Sequence, residues 1–110
     1  MNETDFEALA ERALSRIETA LEEGGVDADI ERKGDGVLEI EFADGSKMIV
    51  NRHGAAREIW VAARAGGFHF RWDGAAWRDT RDGGELFAAL SRLVSAQSGQ
   101  PVLLRPQEGG

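Results

Sequence analysis

Apolar residues near the two ends of the chain recur at the spacing of one helical face. Near the N-terminus this spacing predicts a helix over residues 4–23, in which Thr4 and Glu7 fit a capping box and Gly24-Gly25 ends the helix. A second amphipathic pattern follows Asp82 and closes at Gly99. The apolar positions of the two patterns are Phe6, Leu9, Ala13, Ile17, Ala20 and Leu21, and then Leu86, Phe87, Leu90, Leu93 and Val94.

Between these patterns the apolar period changes to two. Leu38, Ile40 and Phe42 alternate with acidic residues, which is typical of a half-buried strand, and Asp44-Gly45 is a strong hairpin signal. Further short apolar runs are separated by glycine-containing turns, and the last of them lies at Trp77. We therefore expect an antiparallel meander of about six strands.

The order helix, meander, helix predicts an α+β fold. Both helices must bury an apolar face, and one face of the antiparallel β-sheet can receive them, which gives a two-layer sandwich whose other sheet face is exposed to solvent. We expect a single domain over residues 1–104, with the apolar stretch 101–104 packed along the helices. Residues 105–110 are expected to form a disordered tail.

Composition excludes several kinds of site. The chain has no cysteine, so thiolate metal sites and cysteine nucleophiles are excluded, and any metal ligands must be oxygen atoms or the two histidines. It has no phosphate loop, nucleotide fingerprint or recognisable nucleophilic triad, so we do not expect an enzyme. No apolar run approaches a membrane span, and the N-terminus is acidic where a targeting peptide would be basic. We expect a cytoplasmic protein that does not bind membranes.

Charge is distributed unevenly along the chain. The net charge is −7, but residues 1–44 carry 14 of the 20 acidic residues and a balance of −10, whereas residues 45–110 have a balance of +3. Such an acidic surface repels phosphate backbones and argues against nucleic-acid binding. It favours cations or a basic protein surface as partners, and self-repulsion favours a monomer when no metal is bound.

Five glutamates of the predicted first helix fall within 100° of its circumference, because they are spaced by four or seven residues. Like charges four residues apart cost helix stability, so this stripe is either a solvated face or a functional ridge of oxygen ligands. Carboxylates suit iron and also Ca²⁺, Mg²⁺ and Mn²⁺, and on a rigid helix they would bind such ions weakly at several sites. The candidate metal-binding residues, which include the segment after the helix, are Glu3, Glu7, Glu11, Glu18, Glu22, Glu23, Asp27 and Asp29.

Trp60 is the main candidate on the exposed sheet face. Its strand neighbours Ile59 and Val61 share the core side, so Trp60 points outward, and it is either an interface anchor or a side chain covered by a neighbouring loop. His69 is expected to be an ordinary surface residue and His53 to lie in a loop, so a metal site centred on histidine is not expected.

The chain resembles the frataxin family in its acidic first helix and in three segments that follow it in order. These segments are Asp44-Gly45-Ser46-Lys47-Met48-Ile49-Val50-Asn51-Arg52, Ile59-Trp60-Val61-Ala62 and Gly66-Gly67-Phe68-His69-Phe70. The chain departs from the family at His53, where a glutamine is common, and at 54–56, where a proline is common. The resemblance implies the helix–sheet–helix sandwich already predicted. It also implies iron binding by exposed carboxylates and contact with the cysteine desulfurase and the scaffold protein of iron–sulfur cluster assembly.

In that resemblance Asn51, Arg52 and Trp60 match positions that contact these partners. Glu18 and Glu22 of the acidic face are predicted to bind the desulfurase, so that iron would regulate this engagement. The sequence leaves open an acidic binding module with no physiological metal, and an iron carrier or storage protein that oligomerises with iron. Iron oxidation on the acidic face is a minor alternative.

Overall fold

The computed structural model describes residues 1–106. Of the predicted tail at 105–110, residues 107–110 therefore lie outside the described residues, and Arg105 and Pro106 belong to no helix or strand. Two helices enclose six strands in chain order: α1 (Glu3–Glu23), β1 (Ala28–Arg32), β2 (Val37–Phe42), β3 (Lys47–His53), β4 (Glu58–Ala63), β5 (Gly66–Trp72), β6 (Trp77–Asp79) and α2 (Leu86–Ser98). No helix in this range is long and apolar enough to cross a bilayer.

Helix α1 begins earlier than predicted, and the capping box at Thr4 is wrong. Asn2 is the N-cap: its side-chain oxygen accepts a hydrogen bond from the amide of Asp5 at 2.8 Å. Asparagine caps a helix at least as well as threonine, and the earlier start allows the Phe6 amide to donate to the Asn2 carbonyl at 3.0 Å. The predicted end at the glycine pair is correct, with Gly24 as the C-cap.

The sheet is an antiparallel meander with strand order β1-β2-β3-β4-β5-β6, which confirms the predicted fold class. Alternate side chains of each strand enter one core together with the apolar faces of both helices; Leu38, Val50, Ile59 and Phe70 are fully buried there. At the predicted hairpin between β2 and β3, Gly45 has a φ of +86°, a left-handed conformation that glycine adopts without strain.

Glu85 is the N-cap of helix α2, and its carboxylate accepts hydrogen bonds from the amides of Phe87 and Ala88. The side chain of Asp82 instead accepts a hydrogen bond from the Gly84 amide, in the turn before the helix. The helix therefore begins later in the chain than the position of Asp82 indicated. The predicted end at Gly99 is correct, with a left-handed φ of +75°.

The apolar stretch 101–104, which follows α2, packs along that helix, as predicted. Ser95 Oγ accepts from the Val102 amide, and Ser91 Oγ accepts from the Leu104 amide, both at 2.8 Å. Leu104 is buried in the core. These bonds satisfy backbone groups that packing would otherwise remove from water.

Because strand order follows chain order, the uneven charge of the sequence becomes an uneven charge of the molecule. The acidic first 44 residues form α1 and the β1–β2 edge of the sheet. The outward positions of β5 and β6 carry Arg71 and Arg78 at the opposite edge. Both arginines pair with carboxylates, Arg71 with Glu58 and Arg78 with Asp73, so the sheet has one acidic edge and one edge of balanced charge.

Candidate functional site

The acidic stripe of α1, defined by Glu3, Glu7, Glu11, Glu18 and Glu22, lies on one unbroken helix of 21 residues. A continuous helix keeps all five carboxylates on one flank. Glu3, Glu7 and Glu22 are exposed, whereas Glu11 and Glu18 are partly covered. Carboxylates are therefore available to ligands chiefly at the two ends of the stripe.

Arg32 of β1 covers the middle of the stripe. Its Nη2 atom donates to both carboxylate oxygens of Glu11 at 2.6 Å, and its Nη1 lies 3.6 Å from Glu18. The hydrogen bond that Arg32 donates to Glu11 is the main cause that raises the pKa of Arg32. Arg32 neutralises charge where the sequence pattern alone predicted an uninterrupted ridge.

The C-terminal end of the stripe concentrates negative charge. Glu22 and Glu23 lie in the last turn of α1, which contains no basic residue, so they stand beside the negative end of the helix dipole. Neither forms an ion pair within residues 1–106. This arrangement costs helix stability and leaves two carboxylates accessible to a cation or a basic surface.

The aspartates after the helix face elsewhere. Asp29 is an outward residue of β1 and lies opposite Glu41 in the register, on the sheet face away from the helices. Asp27, Asp29 and Glu41 together line an open depression of about 250 Å³. The eight candidate metal-binding residues are thus distributed over a helix flank and a sheet edge. In the part of the chain that the structure describes, no three carboxylate or histidine groups converge closely enough to hold a metal ion.

Trp60 lies on the outer sheet face, as predicted, but it is half-buried between two imidazoles. The ring centroid of His53 lies 3.8 Å from that of Trp60, and that of His69 lies 4.4 Å away on the other side, with the planes within 10° of parallel. We call these three rings the indole stack. His53 belongs to β3, so its predicted place in a loop is wrong: the strand continues far enough to pair His53 with Glu58.

The Glu58 carboxylate fixes the indole stack through a hydrogen bond from Trp60. Its Oε1 accepts from Trp60 Nε1 at 2.9 Å and its Oε2 from Arg71 Nη2 at 2.6 Å, and His69 Nδ1 lies 3.6 Å from Oε1. Burial alone raises the pKa of this carboxyl, but the hydrogen bonds from Trp60 and Arg71 outweigh it, so the pKa lies below its ordinary value of 4.5. A buried, charged carboxylate therefore fixes the tryptophan in one orientation.

The residues predicted to accompany Trp60 divide between two faces. Asn51 pairs with Trp60 across β3 and β4 and shares the outer face. Arg52 pairs with Ile59 and so points toward the helix side, where its Nη2 donates to Asp35 at 2.7 Å. It also crosses Gly36, where an added Cβ would lie 2.7 Å from Arg52 Cγ. Arg52 thus supports the turn between β1 and β2, away from the indole stack.

Sequence reasoning missed Arg32 and the cluster around Glu58. The signal for the cluster was present, because Glu58, Trp60 and His69 are all outward positions by strand alternation. The sequence signal did not include the strand register, which pairs Trp60 with both Asn51 and His69. Register depends on turn geometry, which local propensity does not specify.

Comparison with known proteins agrees with this architecture. The family model of the frataxin-like domain matches residues 1–100. The chain is 64% identical over 105 residues to the iron–sulfur cluster assembly protein CyaY of Dechloromonas aromatica, with 96% of this chain and 100% of the relative covered. It is 57% identical over 102 residues to the CyaY protein of Cupriavidus taiwanensis, with 90% and 92% covered.

Solved structures show the same fold. The frataxin of Psychromonas ingrahamii superposes with a TM-score of 0.85 at 32% identity, covering 93% of this chain and 96% of that one. The frataxin of the yeast Saccharomyces cerevisiae in its complex with ferrous iron gives a TM-score of 0.65 at 22% identity, covering 91% and 88%, and this likeness concerns the fold alone. The family match, the identities over nearly the whole chain and the shared sandwich show that this chain belongs to the frataxin family.

Proposed function

We propose that this protein acts in iron–sulfur cluster assembly as a non-catalytic, iron-responsive regulator or adaptor of the cysteine desulfurase and scaffold complex. Relatives that share up to 64% of its residues are named for that assembly. The observation that carries the proposal is the uncompensated carboxylate pair Glu22 and Glu23 at the end of the acidic stripe. Charge placed where it costs stability is evidence for a role outside folding.

The donors fit iron in chemical type, since carboxylate oxygens are hard ligands. They do not form a closed cage, so one or two carboxylates would bind each ion and water would complete the coordination. The pairs four residues apart that could do this are Glu3 and Glu7 at one end of the stripe and Glu18 and Glu22 toward the other, where Glu18 would exchange its 3.6 Å contact with Arg32 for the ion. Such binding is weak and shared with other divalent cations, which suits a sensor better than a store.

The same carboxylates suit a basic partner surface. Exposed charges on a rigid helix accelerate association and confer a strong dependence on salt. Metal and partner would then compete for Glu18 and Glu22, and iron occupancy would change how the protein engages the desulfurase. On the outer sheet face, Trp60 and Asn51 would supply a second contact, with the scaffold. We place this function in the cytoplasm and expect a monomer without metal.

The dispersal of the carboxylates favours one alternative, an acidic docking module with no physiological metal. The two functions differ in a titration of the metal-free protein with Fe²⁺ without oxygen, followed by NMR. A regulator that binds iron gives localised, saturable changes at Glu18 and Glu22 beyond those caused by Mg²⁺. Identical responses to both cations would support the docking module.

The first experiment measures binding of the metal-free protein to cysteine desulfurase at about 50 and about 300 mM salt. We expect Glu18→Gln/Glu22→Gln to weaken binding about tenfold at the lower salt and less at the higher. Glu3→Gln/Glu7→Gln removes the same charge from the other end of the stripe and serves as the matched control. If the first variant keeps wild-type affinity, or both variants lose it equally, the proposed docking site is wrong.

A further inference from the structure

On the side of the molecule away from the acidic stripe, α1 borders a cavity of about 340 Å³. Its floor is aromatic: Trp77 and Phe87 are buried at 5% and 6% exposure, and Trp72 is half-buried. The two indoles meet edge to face with ring centroids 5.5 Å apart. A concave, largely apolar space of this size is typical of small-molecule sites.

Arg12 and Arg16 stand at the rim of this cavity, one helical turn apart. Among residues 1–106 neither arginine forms an ion pair or a side-chain hydrogen bond, although five other arginines in that range pair with carboxylates. Two like charges four residues apart repel each other. In a protein of net charge −7, two guanidinium groups that no carboxylate of residues 1–106 pairs, beside an aromatic cavity, are a specific local feature.

Glu85 also lines the cavity but does not compensate these charges. Both of its oxygens accept backbone hydrogen bonds at the start of α2, and no ion pair joins it to Arg12 or Arg16. Its negative charge opposes a second anionic group in the same cavity. The lining therefore suits a ligand with one anionic end, placed at the arginines.

We propose that this cavity is a binding site for small planar aromatic carboxylates or sulfonates. The anionic group would accept hydrogen bonds from the guanidinium groups of Arg12 and Arg16, whose planar donor geometry matches carboxylate and sulfonate oxygens. The aromatic body would pack against Trp72 and Trp77, which offer apolar area and favourable ring geometry. The site shares no residue with the acidic stripe or the indole stack, so its test does not rest on the proposed docking function.

The test uses two probes that differ by one group. The sulfonate 1-anilinonaphthalene-8-sulfonate and its uncharged analogue N-phenyl-1-naphthylamine are titrated into the full-length protein, and binding is followed by fluorescence and by the three indole NH signals in NMR. We expect saturable binding of the sulfonate that shifts the signals of Trp72 and Trp77 and leaves that of Trp60 unchanged. The uncharged probe should bind about tenfold more weakly.

Arg12→Gln/Arg16→Gln should weaken sulfonate binding about tenfold and leave the uncharged probe unaffected. Arg92→Gln, an exposed arginine of α2 outside the cavity, is the matched control and should change neither. Binding that does not saturate, that shifts Trp60 equally, or that survives in the double variant would overturn the proposal. Equal loss in Arg92→Gln would also overturn it, because net charge alone would then explain the attraction.

Discussion

The acidic stripe of α1 and the indole stack on the sheet are built in opposite ways. At the end of the stripe, Glu22 and Glu23 are exposed, unpaired among the described residues and unfavourable for the helix that carries them. In the stack, Trp60 is covered on both ring faces, and Glu58 accepts its NH while also binding Arg71. The first region consists of loosely held charge, and the second is fixed by contacts from three strands.

The two regions contribute to recognition in different ways. Exposed charge acts over several ångströms and is screened by salt. Loss of a single charged residue has a small effect, because the neighbouring charges still attract the partner. A preorganised aromatic cluster acts only at contact, but it loses little side-chain entropy on binding and can dominate the affinity. Substitutions in the two regions should therefore have effects of different size and, for stability, of opposite sign.

The largest effect is expected from Trp60→Ala. We predict a normal fold and a loss of about 2 kcal/mol in affinity for the desulfurase and scaffold complex, since a central tryptophan is a typical interface hot spot. Circular dichroism checks the fold and biolayer interferometry the affinity. Lys47→Ala, an exposed residue of β3 outside the stack, is the control. An unfolded variant, or one with unchanged affinity, would refute a surface role for Trp60.

Next in size is the loss of stability in Glu58→Gln. The amide cannot satisfy both Trp60 and Arg71 as the carboxylate does, and we expect a cost of about 2 kcal/mol near neutral pH. Because the folded-state pKa of Glu58 is depressed, its contribution is present above pH 4.5 and is lost as the pH falls through the folded-state value.

Urea unfolding of wild type and Glu58→Gln at about pH 7 and about pH 3 checks this prediction. The difference between the two proteins should shrink at the lower pH. Glu39→Gln, on the same outer face, accounts for general charge effects. A difference of equal size at both pH values would show that Glu58 acts through packing alone.

A smaller effect is expected from His53→Gln, which removes one ring of the indole stack. We predict a destabilisation of about 1 kcal/mol from the lost stacking. In NMR the indole NH signal of Trp60 should shift, whereas those of Trp72 and Trp77 serve as internal controls and stay in place. If all three signals move together, the substitution disturbs the whole sheet rather than the stack.

The smallest effect, and the one with the opposite sign, is expected from Glu22→Gln/Glu23→Gln. Removing negative charge from the C-terminal turn of α1 should stabilise the protein by a few tenths of a kcal/mol and raise the Tm by about 2 °C. Glu3→Gln/Asp5→Asn removes charge from the favourable N-terminal end and should lower the Tm by a similar amount. Calorimetry of both variants would contradict the dipole argument if their shifts had the same sign.

Much of the fold could be predicted from local pattern. The helical period around Phe6 and Ile17, the alternation at Leu38 and Ile40, and the Asp44-Gly45 turn each specify an element within a few residues, because side-chain direction follows backbone period directly. Local pattern specifies the first residue of a helix less well. Asn2 and Thr4 are both good caps, and Glu85 caps α2 although glutamate is not a favoured N-cap residue.

The candidate site was predictable in part. The outward direction of Trp60 and the common flank of the α1 glutamates follow from periodicity, and both are present in the structure. The place of Arg52 on the other side of the sheet from Trp60 also follows from alternation, yet the resemblance gave Arg52 the same role as its chain neighbour Asn51 and as Trp60. A motif records adjacency along the chain, whereas a strand turns successive side chains to opposite faces.

Local sequence pattern alone specifies the order of elements, the faces they bury, and the uneven charge that the meander converts into one acidic edge of the sheet. Three features arise only when the chain folds: Arg32 neutralises Glu11, His53 and His69 enclose Trp60, and Arg12 and Arg16 reach an aromatic cavity. These contacts join residues far apart in the chain. Their geometry depends on strand register and on the packing of helix against sheet, which no local period encodes.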